Sequence, residues 1–226
     1  DEGYVTGFIG KWHLGGNFSK KKGDGYFRGN IKAVRDPNVD LTTIEGGGPQ
    51  STGFEYSFTL PSGIQGPPYM AYENGKWFPL SENSGVIYLD EKTVINPKFL
   101  SNKGPGMGDS HWNPRPIGKL LSRKAVHFIE KNADKKKPFM LTYWSPMVHL
   151  PHCPPEEFDG VKIEDAYPTD HLDMIRDFDQ QVGRIIDALK RKGEWENTLF
   201  ILTSDNEGLY EKAAKTPFRE SRERFL

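Results

Sequence analysis

Three short apolar runs and two stretches of helical periodicity organise the chain, set between loops rich in glycine and proline. Tyr4-Val5-Thr6-Gly7-Phe8-Ile9 is β-prone and predicts a buried strand that runs straight into the polar exit Gly10-Lys11-Trp12-His13. Phe139-Met140-Leu141-Thr142-Tyr143-Trp144 predicts a second strand, followed by the proline-pinned loop Ser145-Pro146-Met147-Val148-His149-Leu150-Pro151-His152. Thr198-Leu199-Phe200-Ile201-Leu202-Thr203 is a continuous hydrophobic run of the kind a parallel sheet covers on both faces, and it ends in Ser204-Asp205-Asn206-Glu207-Gly208.

Ile117, Leu120, Leu121, Phe128 and Ile129 recur at helical spacing before a stop at Asp134-Lys135-Lys136-Lys137-Pro138. Leu172, Ile175, Phe178, Val182, Ile185, Ile186 and Leu189 form a longer stripe, with Gly193 suited to the helix stop. From Gly15 to Pro116 the pattern predicts a loop-rich stretch in which no strand is assigned. Alternating helices and buried strands predict an α/β fold over residues 1–226, a mainly parallel central sheet with helices on both faces. In such a fold sites form outside the carboxyl ends of strands, where all the polar clusters above fall.

Composition narrows the function. Lys and Arg total 30 against 31 Asp and Glu, so bulk charge builds no nucleic-acid surface and an anion site must be local. The single Cys153 allows no internal disulfide. No apolar run approaches the roughly 20 residues of a membrane span. A start at Asp1 without methionine and a stop at Leu226 after a charged run read as truncation at both ends.

Lys11 and His13 are two apart, so in an extended exit they would point the same way and offer an ammonium and an imidazole to one anion. The spacing suits a solvated lysine beside a hydrogen-bonded loop histidine equally well. His149 allows the same two readings, and the spacing of His149, His152 and Cys153 matches no usual zinc framework. Asp205 and Asn206 offer hard oxygen ligands suited to Ca²⁺ or Mg²⁺, with other ligands needed from elsewhere; a cap or turn role for Asp205 stays open. Lys215 follows Asn206 by nine residues, within reach of the same site by a loop, although a solvated lysine is the default. Tyr69, Tyr72, Trp77 and Trp112 either stack on sugar rings or aryl groups or pack in the core.

Gly3-Tyr4-Val5-Thr6-Gly7-Phe8-Ile9-Gly10-Lys11-Trp12-His13-Leu14-Gly15 is similar to a sulfatase signature of the form G-Y-x-T-x-x-x-G-K-W-H-L-G. The resemblance continues through Gly53-Phe54-Glu55-Tyr56, Pro67-Pro68-Tyr69, Pro138-Phe139, Val148-His149-Leu150-Pro151, the long helix, and Thr198 to Asn206. It implies an alkaline-phosphatase-like fold and hydrolysis of sulfate esters by metal-assisted formylglycine chemistry, on a sulfated carbohydrate or aryl sulfate. It also implies that Lys11 and His13 contact sulfate and nucleophile, that His149 and Lys215 bind sulfate, and that Asp205 and Asn206 hold a divalent ion, usually Ca²⁺. Lys215-Thr216-Pro217-Phe218-Arg219-Glu220 keeps the family's lysine-to-glutamate spacing. Members of such a family are secreted, periplasmic or lysosomal, which sets the same expectation here.

The C-x-P-S-R or S-x-P-S-R motif that supplies the formylglycine occurs nowhere in these residues, and Cys153 is followed instead by Pro154-Pro155-Glu156. The family's paired N-terminal aspartates are missing too, so the expectation is of a fragment inactive by itself. A phosphoester or phosphonate hydrolase of the same superfamily, and a non-catalytic binder of sulfated glycans, are the alternatives at this point.

Overall fold

The computed structural model describes residues 3–28, 36–135 and 137–205. In chain order the strands before the first helix are β1 (Val5–Lys11), β2 (Asn17–Ser19), β3 (Tyr26–Arg28), β4 (Tyr56–Leu60), β5 (Ala71–Glu73), β6 (Lys76–Phe78), β7 (Val86–Leu89) and β8 (Gly106–Asp109). Helix α1 (Ile117–Ala133), β9 (Phe139–Trp144), β10 (Glu157–Phe158), β11 (Val161–Lys162) and helix α2 (Asp170–Arg191) follow. The stretch read from sequence as loop thus holds seven of these strands. They are three to five residues long, too short for a hydrophobic period to stand out.

The main sheet has the order β6-β5-β4-β1-β9. Its long central ladders are parallel, β1 pairing with β4 and β9, while the short β4–β5 and β5–β6 pairs at one side are antiparallel. Central β1 is apolar on both faces because both are covered, and Phe8 and Ile9 have no exposed surface. On one face Gly7 meets α1, where an added Cβ would lie 2.6 Å from Phe128. On the other, Phe8 makes edge-to-face contacts with Trp12, Phe54 and Trp144 at centroid distances of 5.1, 5.4 and 5.2 Å. Helix α1 packs on β1 and β9, and α2 packs on α1. Among the described residues the second face therefore carries an aromatic cluster where a helix was expected.

Both helices form where the apolar stripes placed them. Thr169 caps α2, its Oγ1 accepting the Leu172 N–H at 3.3 Å, with Asp170 and Asp173 in the first turn and Lys190 and Arg191 in the last, each complementing the helix dipole. Gly193 follows in the left-handed conformation at φ 71°, as its role of helix stop requires.

The expected third strand is not one. Residues 198–203 carry no ladder, and Leu199, Ile201 and Leu202 are 87, 74 and 62% exposed. A strand is held by its neighbour rather than by its own hydrophobicity. Among the described residues none pairs with this segment, and β9 is the edge of the sheet.

Candidate active site

Because β1, β4 and β9 run parallel, their carboxyl ends lie along one edge of the sheet. Lys11 closes β1, half-buried. Before it, Gly10 has φ 122°, and a Cβ there would fall on the Trp144 carbonyl at the end of β9. Only glycine allows these two backbones to come so close. The Trp12 side chain is buried, its indole N–H donating to the Gly47 carbonyl at 2.8 Å.

His13 has φ 58°, so a left-handed turn carries it and not an extended strand. Strand alternation therefore does not explain how it comes beside Lys11. For a non-glycine residue this conformation costs roughly 1–2 kcal/mol, and such strain concentrates at functional sites. The exit of β4 holds it in place: the Trp12 N–H donates to the Leu60 carbonyl at 3.1 Å and the His13 N–H to the Pro61 carbonyl at 2.9 Å. Two residues on, Gly63 is wedged between Lys11 and the loop after β9; an added Cβ would lie 3.1 Å from Lys11 Cδ and 3.6 Å from Pro146 Cβ.

His149 sits in that loop, half-buried. Its Nδ1 is 2.8 Å from the Leu150 carbonyl oxygen. A carbonyl only accepts, so Nδ1 carries the hydrogen and Nε2 is left for a ligand. Burial holds the His149 pKa below its usual value, with Lys11 and Lys103 acting in the same direction and the Leu150 bond and Asp205 opposing. His13 is lowered likewise, first by burial, then by Lys11, His149 and Lys103, against Asp205. Burial also lowers the Lys11 ammonium, opposed by Asp205. A partly dry cluster of cationic groups of this kind favours an incoming anion, whose charge offsets both burial and mutual repulsion.

Lys11, His13, His149 and Asp205 thus come within electrostatic reach of one another, while Asn206 and Lys215 lie outside the described residues. Lys103 is an addition that sequence reading missed. Its N–H donates to the Gln65 carbonyl at 3.2 Å, and Tyr69 Oη donates to the Gly104 carbonyl at 2.6 Å, fixing its loop against the β4 exit. A lysine ahead of Gly104-Pro105-Gly106 carries no sequence signal of its own. Tyr69, Tyr72 and Trp112 are core residues, and Trp77 packs against the smaller apolar cluster with its indole N–H 3.2 Å from Asp109 Oδ2. Cys153 is buried, and burial pushes its thiol up to about 11, the opposite of an activated nucleophile.

Among the described residues no three His, Cys, Asp or Glu side chains form a group that could hold a metal ion. Asp205 offers one carboxylate, of the hard-oxygen type that Ca²⁺ and Mg²⁺ prefer, and a metal shell around it would need further ligands from outside the described residues.

Basic groups gathered at the exits of two parallel strands, with a carboxylate in electrostatic reach, define an α/β protein with a local anion site. The chain matches the family model described as Sulfatase over residues 1–224 and belongs to the sulfatase family. It is 29% identical to an N-acetylgalactosamine-6-O-sulfatase of Bacteroides thetaiotaomicron, over 91% of this chain and 41% of that protein. It is 27% identical to a steryl-sulfatase of Rattus norvegicus, over 91% of this chain and 38% of that protein. The chain therefore spans about two fifths of the length of these curated relatives. A solved structure described with the metabolism of multiple glycosaminoglycans by Bacteroides thetaiotaomicron superposes with a TM-score of 0.63 at 22% identity, over 87% of this chain and 42% of that one, which shows the fold.

Proposed function

We propose that the protein containing this chain hydrolyses sulfate esters, with Lys11, His13 and His149 as its sulfate-handling groups. The observation that carries the reading is the convergence of these three side chains with Asp205 at one edge of the parallel strands, in a chain of the sulfatase family. A sulfate ester presents tetrahedral oxygens bearing a negative charge; Lys11 neutralises them from the end of β1, and His149, past the end of β9, joins it when Nε2 takes up a proton as the anion binds. His13, held below its usual pKa, accepts a proton near neutral pH and serves as the proton carrier of the site. Asp205 and Asn206 would hold Ca²⁺ or Mg²⁺, and the metal together with a formylglycine would supply the activated nucleophile.

Relatives named for N-acetylgalactosamine 6-sulfate and for steryl sulfate share the ester and differ in what bears it. With Tyr69, Tyr72 and Trp112 committed to the core, the proposal rests on the sulfate rather than on a sugar-stacking platform. The test is a side-by-side assay of the full-length protein on p-nitrophenyl sulfate and p-nitrophenyl phosphate. Faster hydrolysis of the sulfate supports the reading; preference for the phosphate, or tight sulfate binding without turnover, overturns it.

A further inference from the structure

We propose that Gln181 of α2 is a positioning residue for His149, acting through a buried hydrogen-bond junction that fixes the exit of β9. This rests on the reading of His149 as a sulfate-contacting group. Gln181 has no exposed surface. Its Oε1 accepts from Tyr143 Oη at 2.6 Å and from Ser145 Oγ at 3.0 Å, while its Nε2 donates to Asp177 Oδ2 at 3.0 Å. Ser145 Oγ in turn accepts the Met147 N–H at 3.2 Å, and the His149 N–H donates to the Pro146 carbonyl at 3.0 Å. An unbroken series of bonds therefore leads from the helix into the loop that presents the His149 ring.

The orientation of the amide follows from its partners. Asp177 Oδ2 accepts, so the amide nitrogen faces it and the amide oxygen faces the two hydroxyls. Helix α1 leaves room for this arrangement at Gly118: a Cβ there would overlap Gln181 Nε2 and lie 2.7 Å from Asp177 Oδ2. Burying an amide and a carboxyl between two helices is unfavourable, the more so because Asp177 Oδ1 has no hydrogen-bond partner among the described residues, and an apolar side chain would fill the same volume without that cost. What the polar junction adds is direction. Ser145 and Tyr143 are each held at a fixed angle, and the loop leaves the sheet on one course, as a precise ligand contact requires.

The experiment measures inhibition of p-nitrophenyl sulfate hydrolysis by inorganic sulfate in the full-length protein. Gln181→Leu is expected to weaken sulfate inhibition about tenfold, the size of effect expected when a buried bond that orients a ligand contact is lost. In a His149→Ala background the same change is expected to do nothing further, because the junction acts through that ring. Gln181→Glu removes the amide N–H that Asp177 Oδ2 accepts and leaves two carboxyls that must share a proton to stay paired, so it is expected to weaken inhibition; adding Asp177→Asn restores a donor opposite an acceptor and recovers it. Gly118→Ala, which displaces the amide from the α1 side, is expected to reproduce Gln181→Leu, and it carries the same comparison should that variant not fold. Losses that add in the double variant with His149→Ala, or unchanged inhibition in Gln181→Leu and Gly118→Ala, overturn the proposal. If Lys11→Ala and His149→Ala leave inhibition unchanged, the sulfate-site reading itself has failed. If they weaken it and the junction variants do not, only the positioning role has.

Discussion

Gly10 and Trp144 meet backbone to backbone where β1 and β9 end, so closely that a Cβ on Gly10 would fall on the Trp144 carbonyl. The contact brings together two strand exits, one carrying Lys11 and His13 and the other His149. The groups proposed to handle sulfate are thereby gathered from segments about 140 residues apart with no side chain at the point of closure.

Gly10→Ala combines a left-handed φ of 122° with that overlap. It is expected to destabilise the full-length protein by about 3 kcal/mol or more, since strain at a special φ and overpacking act together. Urea unfolding of the variant against the parent checks this; a loss below about 1 kcal/mol would show that the strands can part there.

Lys11→Ala and His13→Ala are each expected to lower kcat on p-nitrophenyl sulfate by about 10²-fold, the scale for removing a donor or proton carrier from a partly dry site. Steady-state kinetics reads the effect. An unchanged kcat in both would remove them from the mechanism.

Lys103→Ala is expected to weaken inhibition by inorganic sulfate by about threefold, because this exposed cation acts on His13 and His149 across a solvent-screened distance. The effect should shrink as ionic strength rises, which distinguishes it from a lost hydrogen bond. Inhibition assays at low and high NaCl make the comparison.

Asp177 links pH to stability. Burial raises its pKa to about 7, against the opposing effect of the Gln181 hydrogen bond. The folded state thus holds its proton more tightly than the unfolded chain. The contribution is fully present below the unfolded pKa of about 3.9 and is lost as pH rises through about 7, a change on the order of 3–4 kcal/mol. Urea unfolding between pH 5 and pH 8 should show stability falling with pH, and Asp177→Asn should flatten that slope.

Cys153 is expected to resist thiol reagents while the protein is folded. With its pKa pushed up to about 11 by burial, the thiolate fraction at pH 8 is about 10²-fold below that of an ordinary thiol. Modification by a disulfide reagent, followed with and without urea, should be rapid only after unfolding.

The elements whose signal is local were legible along the chain. Both helices follow from their apolar stripes, and β1 and β9 from β-prone apolar runs long enough to read. The Gly3–Gly15 signature carried the family, and with it the expectation for Lys11, His13, His149 and Asp205. Whatever depends on partners far away in the chain emerged only in the folded molecule. Residues 198–203 read as a buried strand and have no ladder among the described residues, because pairing requires a neighbour that hydrophobicity does not supply. Tyr69, Tyr72 and Trp112 went to the core, since an aromatic has the same pattern whether it faces a ligand or another ring. Lys103 comes within electrostatic reach of His13, and Gln181 bonds Tyr143 and Ser145 at the end of β9, through contacts between residues far apart in the chain, and no periodicity or spacing encodes such contacts.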